Sequence, residues 1–250
     1  MDAPWMRPDL PHDVSVNGHL VDGVIRYITA ATALCFVVMA TILLAASLFH
    51  REGRRQAAHT HGTRPGDYLL VVLVAGAVFF GIDVVTLVRS GSDLRNHFWR
   101  FPEGDQRAVR VEVTAQQWAW NFRYAGPDGH FNTPDDIVTL NDLRVPVDRP
   151  VYLKFHSKDV VHSFYLPNFR TKVDVVPGSE TRLWFEAREP GLFEIGCAQH
   201  CGVNHYKMRA ELRVAAADDF DRWSRAAAVD STLRYDPADV AAHDGWEWGQ

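Results

Sequence analysis

The sequence has few cysteines and no excess of positive charge. Only three cysteines occur among 250 residues, too few for the disulfide framework of a small secreted domain. The formal net charge is −5, which argues against nucleic acid as a partner and leaves basic proteins open as partners. No basic stretch precedes the first apolar segment, so we expect no cleaved signal peptide. No internal repeat is visible.

Two long apolar segments change the class of protein that is expected. Residues 27–49 contain no charged side chain, and a helix of this length would span roughly 35 Å, enough for a hydrocarbon core of about 30 Å. Residues 68–88 carry a single acid, Asp83. Buried helices of a soluble domain are the alternative, but nothing else in the chain could surround two helices that are apolar on every side. We therefore predict a transmembrane helical hairpin over residues 24–89.

The charges around these segments predict their orientation. The connecting loop, about residues 50–67, is rich in arginine: Arg51, Arg54, Arg55 and Arg64. The N-terminal segment 1–23 offers only Arg7. The positive-inside rule therefore places the loop in the cytoplasm and both chain ends outside. We predict that residues 90–106 are a linker and that the rest of the chain faces the periplasm or its equivalent, an oxidising compartment.

From residue 107 to 214 the apolar pattern has a period of two, the period of a β-strand. Val109, Val111 and Val113 alternate with polar residues, and "MRAELRV" (208–214) again places its apolar side chains on one face. The turn sequences "VPG" and "EPG" separate such runs. The pattern predicts an antiparallel sandwich or barrel. Residues 215–250 are predicted to be a short amphipathic helix followed, from about residue 230, by a tail without a clear period.

The segment "GPDGHFNTPDD" (126–136) is an insertion between two predicted strands. Its oxygen-bearing side chains could form a calcium site; they are Asp128, Asn132, Asp135 and Asp136. The spacing is not that of an EF-hand, and Asp, Gly and Pro are common turn residues. We therefore favour an ordinary turn.

The segment "CAQHCGVNHYKM" (197–208) concentrates metal-binding side chains in one loop. A disulfide between Cys197 and Cys201 would leave His205 and Met208 unexplained. A structural zinc site with two Cys and two His would not need the thioether. Copper is the third alternative, because thiolate, imidazole and a weak Met ligand are its natural set.

A second thiol distinguishes this loop from a blue-copper site, which uses one Cys, two His and a Met. Two thiolates four residues apart can each bridge two copper ions, and the pair then shares one electron. A second imidazole is needed from a neighbouring strand end. His162 in "DVVHSFYLPNF" supplies it.

The chain resembles a known family, subunit II of the haem–copper cytochrome c oxidases. The resemblance rests on C-x-x-x-C-x-x-x-H-x-x-M with the upstream His162, on the apolar hairpin, and on "QQWAWNFRY" (116–124) and "LPNFRTKVDVVPG" (166–178). It covers roughly residues 20–228. It implies an all-β, cupredoxin-like Greek-key sandwich or barrel after the hairpin. It also implies a dinuclear copper centre, CuA, bound by five side chains: His162, Cys197, Cys201, His205 and Met208.

The resemblance assigns one further ligand to the copper loop. In the family, the backbone carbonyl of the residue at position 199 also binds copper, and a Glu there binds Mg or Mn through its side chain at the interface with subunit I. This chain has Gln199 instead. The carbonyl survives this substitution, but a neutral amide is a poorer ligand for a hard cation, which puts the interfacial Mg in doubt.

Two roles outside the copper loop are implied by the resemblance. Trp118 would be the exposed residue at which electrons arrive from cytochrome c, with Trp120 beside it on the same strand face; packing aromatics are the alternative. Asp67, at the cytoplasmic start of the second helix, would feed protons into subunit I. An acid at a helix N-terminus can equally be an ordinary cap.

The implied function is that of subunit II of a respiratory oxidase in the inner or plasma membrane, as a multi-pass protein. Electrons from cytochrome c, or from a cytochrome c domain, would pass through copper to haem in subunit I, where oxygen is reduced to water and protons are pumped. Subunit III is a further expected partner. The chain would not be catalytic alone, and without C-x-x-C-H it would bind no covalent haem of its own.

Two other functions stay open on the sequence. A quinol oxidase subunit II has the same fold without copper, and a membrane-tethered copper carrier would use the same ligands.

Overall fold

The computed structural model describes residues 10–51, 62 and 64–234. They belong to two compact units: a helical unit, Leu20–His97, and a β-unit formed by the described residues of 1–19 and 98–250. Three of the charges used to predict the orientation, Arg7, Arg54 and Arg55, lie outside the described residues. So does the tail from residue 235 onward.

The helical unit consists of two long apolar helices. The first, α1, is Gly18–Phe49. The second helix runs from Pro65 to Phe98 as α2 (Pro65–Val78), a π-helical segment (Phe79–Val84), α3 (Val85–Asp93) and a second π-helical segment (Leu94–Phe98). Both are long and apolar enough to cross a membrane, and none of their most apolar windows is buried in the described structure.

The helix bounds differ from the predicted ones at both ends of the hairpin. Helix α1 begins at Gly18 rather than at 24, because the Ser15 hydroxyl accepts the Gly18 N–H at 2.7 Å and starts the helix there. Residues 90–98 are helical, so the prediction of a linker over 90–106 is wrong for this part. Gly91 alone does not end the helix, and the first proline after it is Pro102.

The β-unit contains ten strands in two five-stranded sheets. The first sheet has the order β3-β2-β1-β5-β8. Its strands are β1 (Val109–Gln116), β2 (Ala119–Tyr124), β3 (Ile137–Leu140), β5 (Pro150–Ser157) and β8 (Thr181–Glu186). The second sheet has the order β4-β10-β9-β6-β7. Its strands are β4 (Asp142–Pro146), β6 (His162–Leu166), β7 (Thr171–Val175), β9 (Gly191–Cys197) and β10 (Arg209–Ala215).

Two strand pairs are parallel, so the expectation of a purely antiparallel sheet is wrong. Strand β1 pairs in parallel with β5, and β10 pairs in parallel with β4. Both pairs join strands that are distant in sequence, and an alternating pattern within one strand carries no information about which distant strand lies beside it. The predicted class, two apolar helices followed by a two-sheet β-sandwich, is confirmed.

The core of the β-unit lies between the sheets. Met208, Ala210, Leu212 and Val214 are all buried, as the alternation in "MRAELRV" predicts. Between the sheets the largest fully buried side chains are aromatic: Trp120, Phe122, Phe155 and Phe164. On β1 the alternation is incomplete, because Glu112 and Thr114 on the opposite face are buried as well.

The 126–136 insertion contributes to the burial of this outer face. Arg123 on β2 donates from Nε to the Glu112 carboxylate at 2.9 Å and from Nη1 to Oδ1 of Asn132 at 2.6 Å. Asp136 lies 3.5 Å from Arg123. Burial raises the pKa of Glu112, although the hydrogen bond from Arg123 opposes this rise. The insertion is therefore fixed to the β1–β2 hairpin by a partly buried polar network.

The four side chains that suggested calcium make hydrogen bonds inside this network or its turns. Asp128 accepts the His130 N–H at 2.8 Å, and Asp136 accepts that of Asn132 at 2.8 Å. Asp135 accepts the Thr133 hydroxyl at 2.7 Å. These contacts support the turn that the sequence favours.

A short N-terminal segment, residues 10–17, belongs to the β-unit. Val14 is 1% exposed and donates its N–H to the Asn168 carbonyl at 3.0 Å. Its own carbonyl accepts the Arg188 N–H at 2.8 Å, and the next residue, Ser15, forms a β-bridge with Ala187. The segment before α1 therefore contributes to the hydrophobic core, which the sequence did not indicate.

The chain ends, as far as it is described, in helix α4 (Ala217–Arg234). The helix is longer than predicted and includes residues 230–234, which were expected to be coil. Phe220 is buried, and the Trp223 ring contacts the Tyr124 ring at 5.4 Å between centroids. These aromatic contacts hold the helix against the sandwich.

Candidate metal centre

The predicted copper ligands come together at one end of the second sheet. Cys197 is the last residue of β9 and His162 is the first of β6, the neighbouring strand. Cys201 lies in the loop between β9 and β10, and His205 opens a single 3₁₀ turn in that loop. Met208 directly precedes β10, and its carbonyl accepts the Cys197 N–H at 3.2 Å.

The side-chain atoms of these five residues are close to one another. The Sγ atoms of Cys197 and Cys201 are 3.7 Å apart. Cys201 Sγ lies 3.5 Å from Nδ1 of His205 and 3.7 Å from Sδ of Met208. His162 completes the group, because its Nδ1 lies 3.2 Å from the same Met208 sulfur.

The cluster is mostly shielded from water. His162 is fully buried, Met208 is 1% exposed and Cys201 is 3% exposed. Cys197 and His205 are half-buried. Soft ligands in a dry, rigid setting suit a metal whose coordination should change little.

Gln199 takes part through its backbone and not through its side chain. Gln199 is exposed, whereas its carbonyl oxygen lies 3.2 Å from Cys197 Sγ and so faces the cluster. The side-chain amide is free to contact another protein but brings no negative charge.

The two thiols differ in acidity. Burial would raise the pKa of Cys197, but hydrogen bonds from His162 and from backbone N–H groups outweigh it and lower that pKa to about 6. Burial raises the pKa of Cys201 to about 12, and its neighbour Cys197 adds to the rise. One thiolate is therefore available at neutral pH, and a bound cation would favour loss of the second proton as well.

The donor set fits copper better than the two alternatives. Cys197 and Cys201 are both free thiols, with separate sulfurs. A group of one His and two Cys is compatible with several metals, but the adjacent Met208 sulfur has no role in a zinc site. Two thiolates, two imidazoles and a thioether make a set that copper prefers.

Asp159 contacts a predicted ligand and was missed in the sequence analysis. Its Oδ1 lies 2.8 Å from Nε2 of His162. Hydrogen bonds from His162 and from backbone N–H groups outweigh burial and lower the pKa of Asp159, so this carboxylate accepts. Nε2 then carries a proton, and Nδ1 is the nitrogen that faces the cluster and would bind a metal. The sequence held one indication of this contact, since Asp159 lies three residues before the predicted ligand His162.

The two tryptophans do not share a strand face, contrary to our expectation. Trp118 is half-buried in the turn between β1 and β2, and its indole Nε1 donates to the Cys201 carbonyl at 3.2 Å. Trp120 lies on β2, fully buried, with its ring 6.1 Å from that of His162. The turn separates the two side chains: Trp118 contacts the copper loop from the surface side, and Trp120 packs beneath it.

Asp67 lies in the helical unit, in the first turn of α2. It accepts the Arg64 N–H at 3.3 Å, and its own N–H donates to the Arg64 carbonyl at 2.9 Å. Asp67 therefore caps the helix, whatever further role it has.

The chain is similar to known proteins of one family. The family model for the periplasmic domain of cytochrome c oxidase subunit II matches residues 109–214. The alternative cytochrome c oxidase subunit 2 of Bradyrhizobium diazoefficiens is 32% identical over 244 residues, which cover 88% of this chain and 82% of the relative. The cytochrome c oxidase subunit 2 of Alkalihalophilus pseudofirmus is 31% identical over 144 residues, 58% of this chain but only 39% of that longer protein.

Among solved structures, the chain is similar to the periplasmic domain of subunit II of cytochrome oxidase from Bradyrhizobium japonicum. The identity is 27%, the match covers 49% of this chain and 94% of that domain, and the TM-score is 0.44.

Proposed function

This chain belongs to the cytochrome c oxidase subunit II family, and from that premise we propose that it accepts electrons from cytochrome c at a two-copper centre outside the membrane and passes them to haem in subunit I. The oxidase would reduce oxygen to water and pump protons. This chain is one part of that haem–copper oxidase and does not act alone.

The convergence of the five ligand side chains is the observation that carries the proposal. His162, Cys197, Cys201, His205 and Met208 would hold the copper ions, with the Gln199 carbonyl as a sixth donor. When bound, the copper pair supplies a site that takes up and releases a single electron. The β-strands at both ends of the loop keep the ligands in place, so little rearrangement accompanies a change of charge.

Trp118 is the best candidate for the residue at which electrons arrive. Its ring is partly accessible, and its indole N–H reaches the carbonyl of a cysteine ligand. Trp120 has no access to solvent and would serve as packing under His162.

The two apolar helices would anchor the chain in the inner or plasma membrane and contact subunit I, with subunit III as a further partner. Both would span the bilayer, with the arginine-rich loop in the cytoplasm and the β-unit in the periplasm. Asp67 would then lie at the cytoplasmic surface, where it could pass protons to subunit I in addition to capping α2. Because Gln199 lacks a carboxylate, an interfacial Mg would need other ligands.

The proposal is tested by measuring oxygen uptake that is fed by reduced cytochrome c. The intact oxidase should be purified with Cys197→Ser or Cys201→Ser in this chain and compared with the unaltered enzyme. Cys35→Ser is the matched control, since Cys35 is a free thiol in α1 and no part of the cluster.

We expect both loop variants to lose nearly all uptake and the control to retain it. Unchanged uptake in the loop variants would contradict the proposal. If uptake fed by a quinol persisted with no copper bound to this chain, the quinol oxidase alternative would be favoured. A chain that releases copper readily to a chelator without any oxidase partner would favour a carrier.

A further inference from the structure

Gln117, which precedes Trp118 in the β1–β2 turn, connects this turn to the copper loop. We propose that Gln117 is a positioning residue for electron transfer, holding the Trp118 indole and the Cys201 carbonyl in one fixed arrangement. The inference rests on the proposed function, because it assumes that electrons reach the cluster through Trp118.

The side chain of Gln117 makes a direct bond to the loop. Its Nε2 donates to the Cys201 carbonyl at 2.8 Å, and this is the same oxygen that accepts the Trp118 indole N–H at 3.2 Å. A carbonyl oxygen has two lone pairs, so both bonds can form together. The amide and the indole are thus held side by side on the backbone of a proposed copper ligand.

The main chain of Gln117 makes a second bond to the cluster. Its N–H donates to Oδ2 of Asp159 at 2.6 Å, while Oδ1 of Asp159 accepts from His162. The turn that carries Trp118 is therefore fixed at both sides of the cluster, to Cys201 through the Gln117 side chain and to His162 through its backbone.

The Gln117 amide lies close to the loop backbone, although the residue as a whole is exposed. Gly202 follows Cys201 with a φ of +118°, and a Cβ atom on residue 202 would lie 2.8 Å from Nε2 of Gln117 and 3.3 Å from the Trp118 ring. The loop thus has a glycine where the amide and the indole approach its backbone.

Replacing the Gln117 side chain removes its bond to Cys201 and keeps the backbone bond to Asp159. In Gln117→Leu the donor to Cys201 is lost, and the backbone bond to Asp159 remains. Gln117→Glu keeps the shape, but an ionised carboxylate cannot donate to a carbonyl. Trp118 would then be held by its own hydrogen bond alone and would occupy several orientations.

The test uses the intact oxidase with Gln117→Leu, Gln117→Glu, Trp118→Leu and the control Gln116→Leu. Gln116 is the neighbouring amide at the end of β1, and within the described residues its side chain makes no hydrogen bond. The measurements are the maximum rate of cytochrome c oxidation, the KM for cytochrome c and the copper EPR spectrum.

We expect both Gln117 variants to lower the maximum rate by roughly tenfold, since small misplacements of a transfer group have effects of this order or larger. The KM for cytochrome c should stay within about twofold, because positioning affects the transfer step and not the docking step. The EPR spectrum and the Gln116→Leu enzyme should be unchanged.

Four results would overturn the inference. An unchanged maximum rate in the Gln117 variants, with a slow Trp118→Leu enzyme, would refute the role of Gln117 and leave the proposed function intact. A raised KM alone would make Gln117 a contact for cytochrome c, and a lost copper signal would make it a structural support of the loop. A Trp118→Leu enzyme of normal rate would contradict the proposed path itself, and the inference with it.

Discussion

Asp159 accepts a hydrogen bond from Nε2 of His162 and leaves Nδ1 of that ring 3.2 Å from the Met208 sulfur. The carboxylate thereby orients the ring so that Nδ1 faces the cluster. It also fixes the plane of the ring, which is buried and has Trp120 beside it. A single acid outside the ligand set thus determines how one ligand is presented.

Removal of this acid should weaken copper binding. We expect Asp159→Leu to lower the copper affinity of the full chain by about 10- to 100-fold, the usual effect of losing a partner of a ligating His. Asp159→Asn should lower the copper affinity less, because its amide oxygen can still accept a hydrogen bond from Nε2 of His162. Titration against a competing chelator measures the affinity. Asp218→Asn, an exposed acid in α4, is the control, and an equal loss there would remove the specific role of Asp159.

Gly202 should be sensitive to the smallest substitution. Gly202→Ala combines a left-handed φ, which costs about 1–3 kcal/mol for other residues, with a Cβ that displaces the Gln117 amide from Cys201. We expect a lower melting temperature. Gly104→Ala, where a Cβ meets nothing within 4 Å, should leave the melting temperature unchanged. Unchanged stability in Gly202→Ala would contradict the close approach of Gln117 to the backbone of residue 202.

The buried ion pair of Arg123 with Glu112 should contribute most to the stability of the β-unit at neutral pH. Arg123→Met leaves the Glu112 carboxylate buried without its cation, and breaking such a pair costs about 3–5 kcal/mol. Arg213 is exposed and pairs with Asp142 and Glu211. Arg213→Met should lower the free energy of unfolding by less than about 1 kcal/mol. Thermal unfolding of the full chain in detergent measures both changes.

The pH dependence of this variant follows from the raised pKa of Glu112. A carboxyl whose pKa is higher in the folded than in the unfolded state binds more protons when folded. Its contribution to stability is therefore most favourable at low pH and is lost as pH rises above the ordinary carboxyl range. Without Arg123 the pKa should rise further, so Arg123→Met should recover much of its stability near pH 5. If the stability lost in Arg123→Met did not change between pH 5 and 8, the loss would not come from the buried Glu112 carboxylate.

The N-terminal segment should contribute to the stability of the β-unit. Val14 is almost completely buried, and exposing such a side chain costs about 1.5–3 kcal/mol. We expect Val14→Ser to lower the melting temperature by several degrees, and Leu10→Ser, at a residue 47% exposed, to have no effect. If Val14→Ser were as stable as the unaltered chain, residues 10–17 would not be part of the core.

The sequence predicted those features that depend on local patterns. The alternation around Val111 and Leu212 identified strands, the absence of charge over 27–49 identified a candidate membrane helix, and the spacing of Cys197, Cys201, His205 and Met208 identified the loop. These features could be predicted because each follows from residues close together in the chain.

Features that join distant residues were not predictable in this way. The parallel pairing of β1 with β5 and the insertion of Val14 into the core depend on which segments meet in space. The position of Trp118 in a turn was missed because an aromatic run looks like a continuous strand. Asp159 was adjacent to a recognised ligand, but its role became visible only from the contact with Nε2 of His162. The ligand roles of the five predicted copper ligands remain predictions: His162, Cys197, Cys201, His205 and Met208.

The EPR spectrum of the copper-loaded full chain in detergent tests the central claim most directly. If the sulfurs of Cys197 and Cys201 bridge two ions, one unpaired electron will show hyperfine coupling to two equivalent copper nuclei, and the loaded chain will contain two coppers. A spectrum of a single isolated Cu(II), with one copper per chain, would contradict the account.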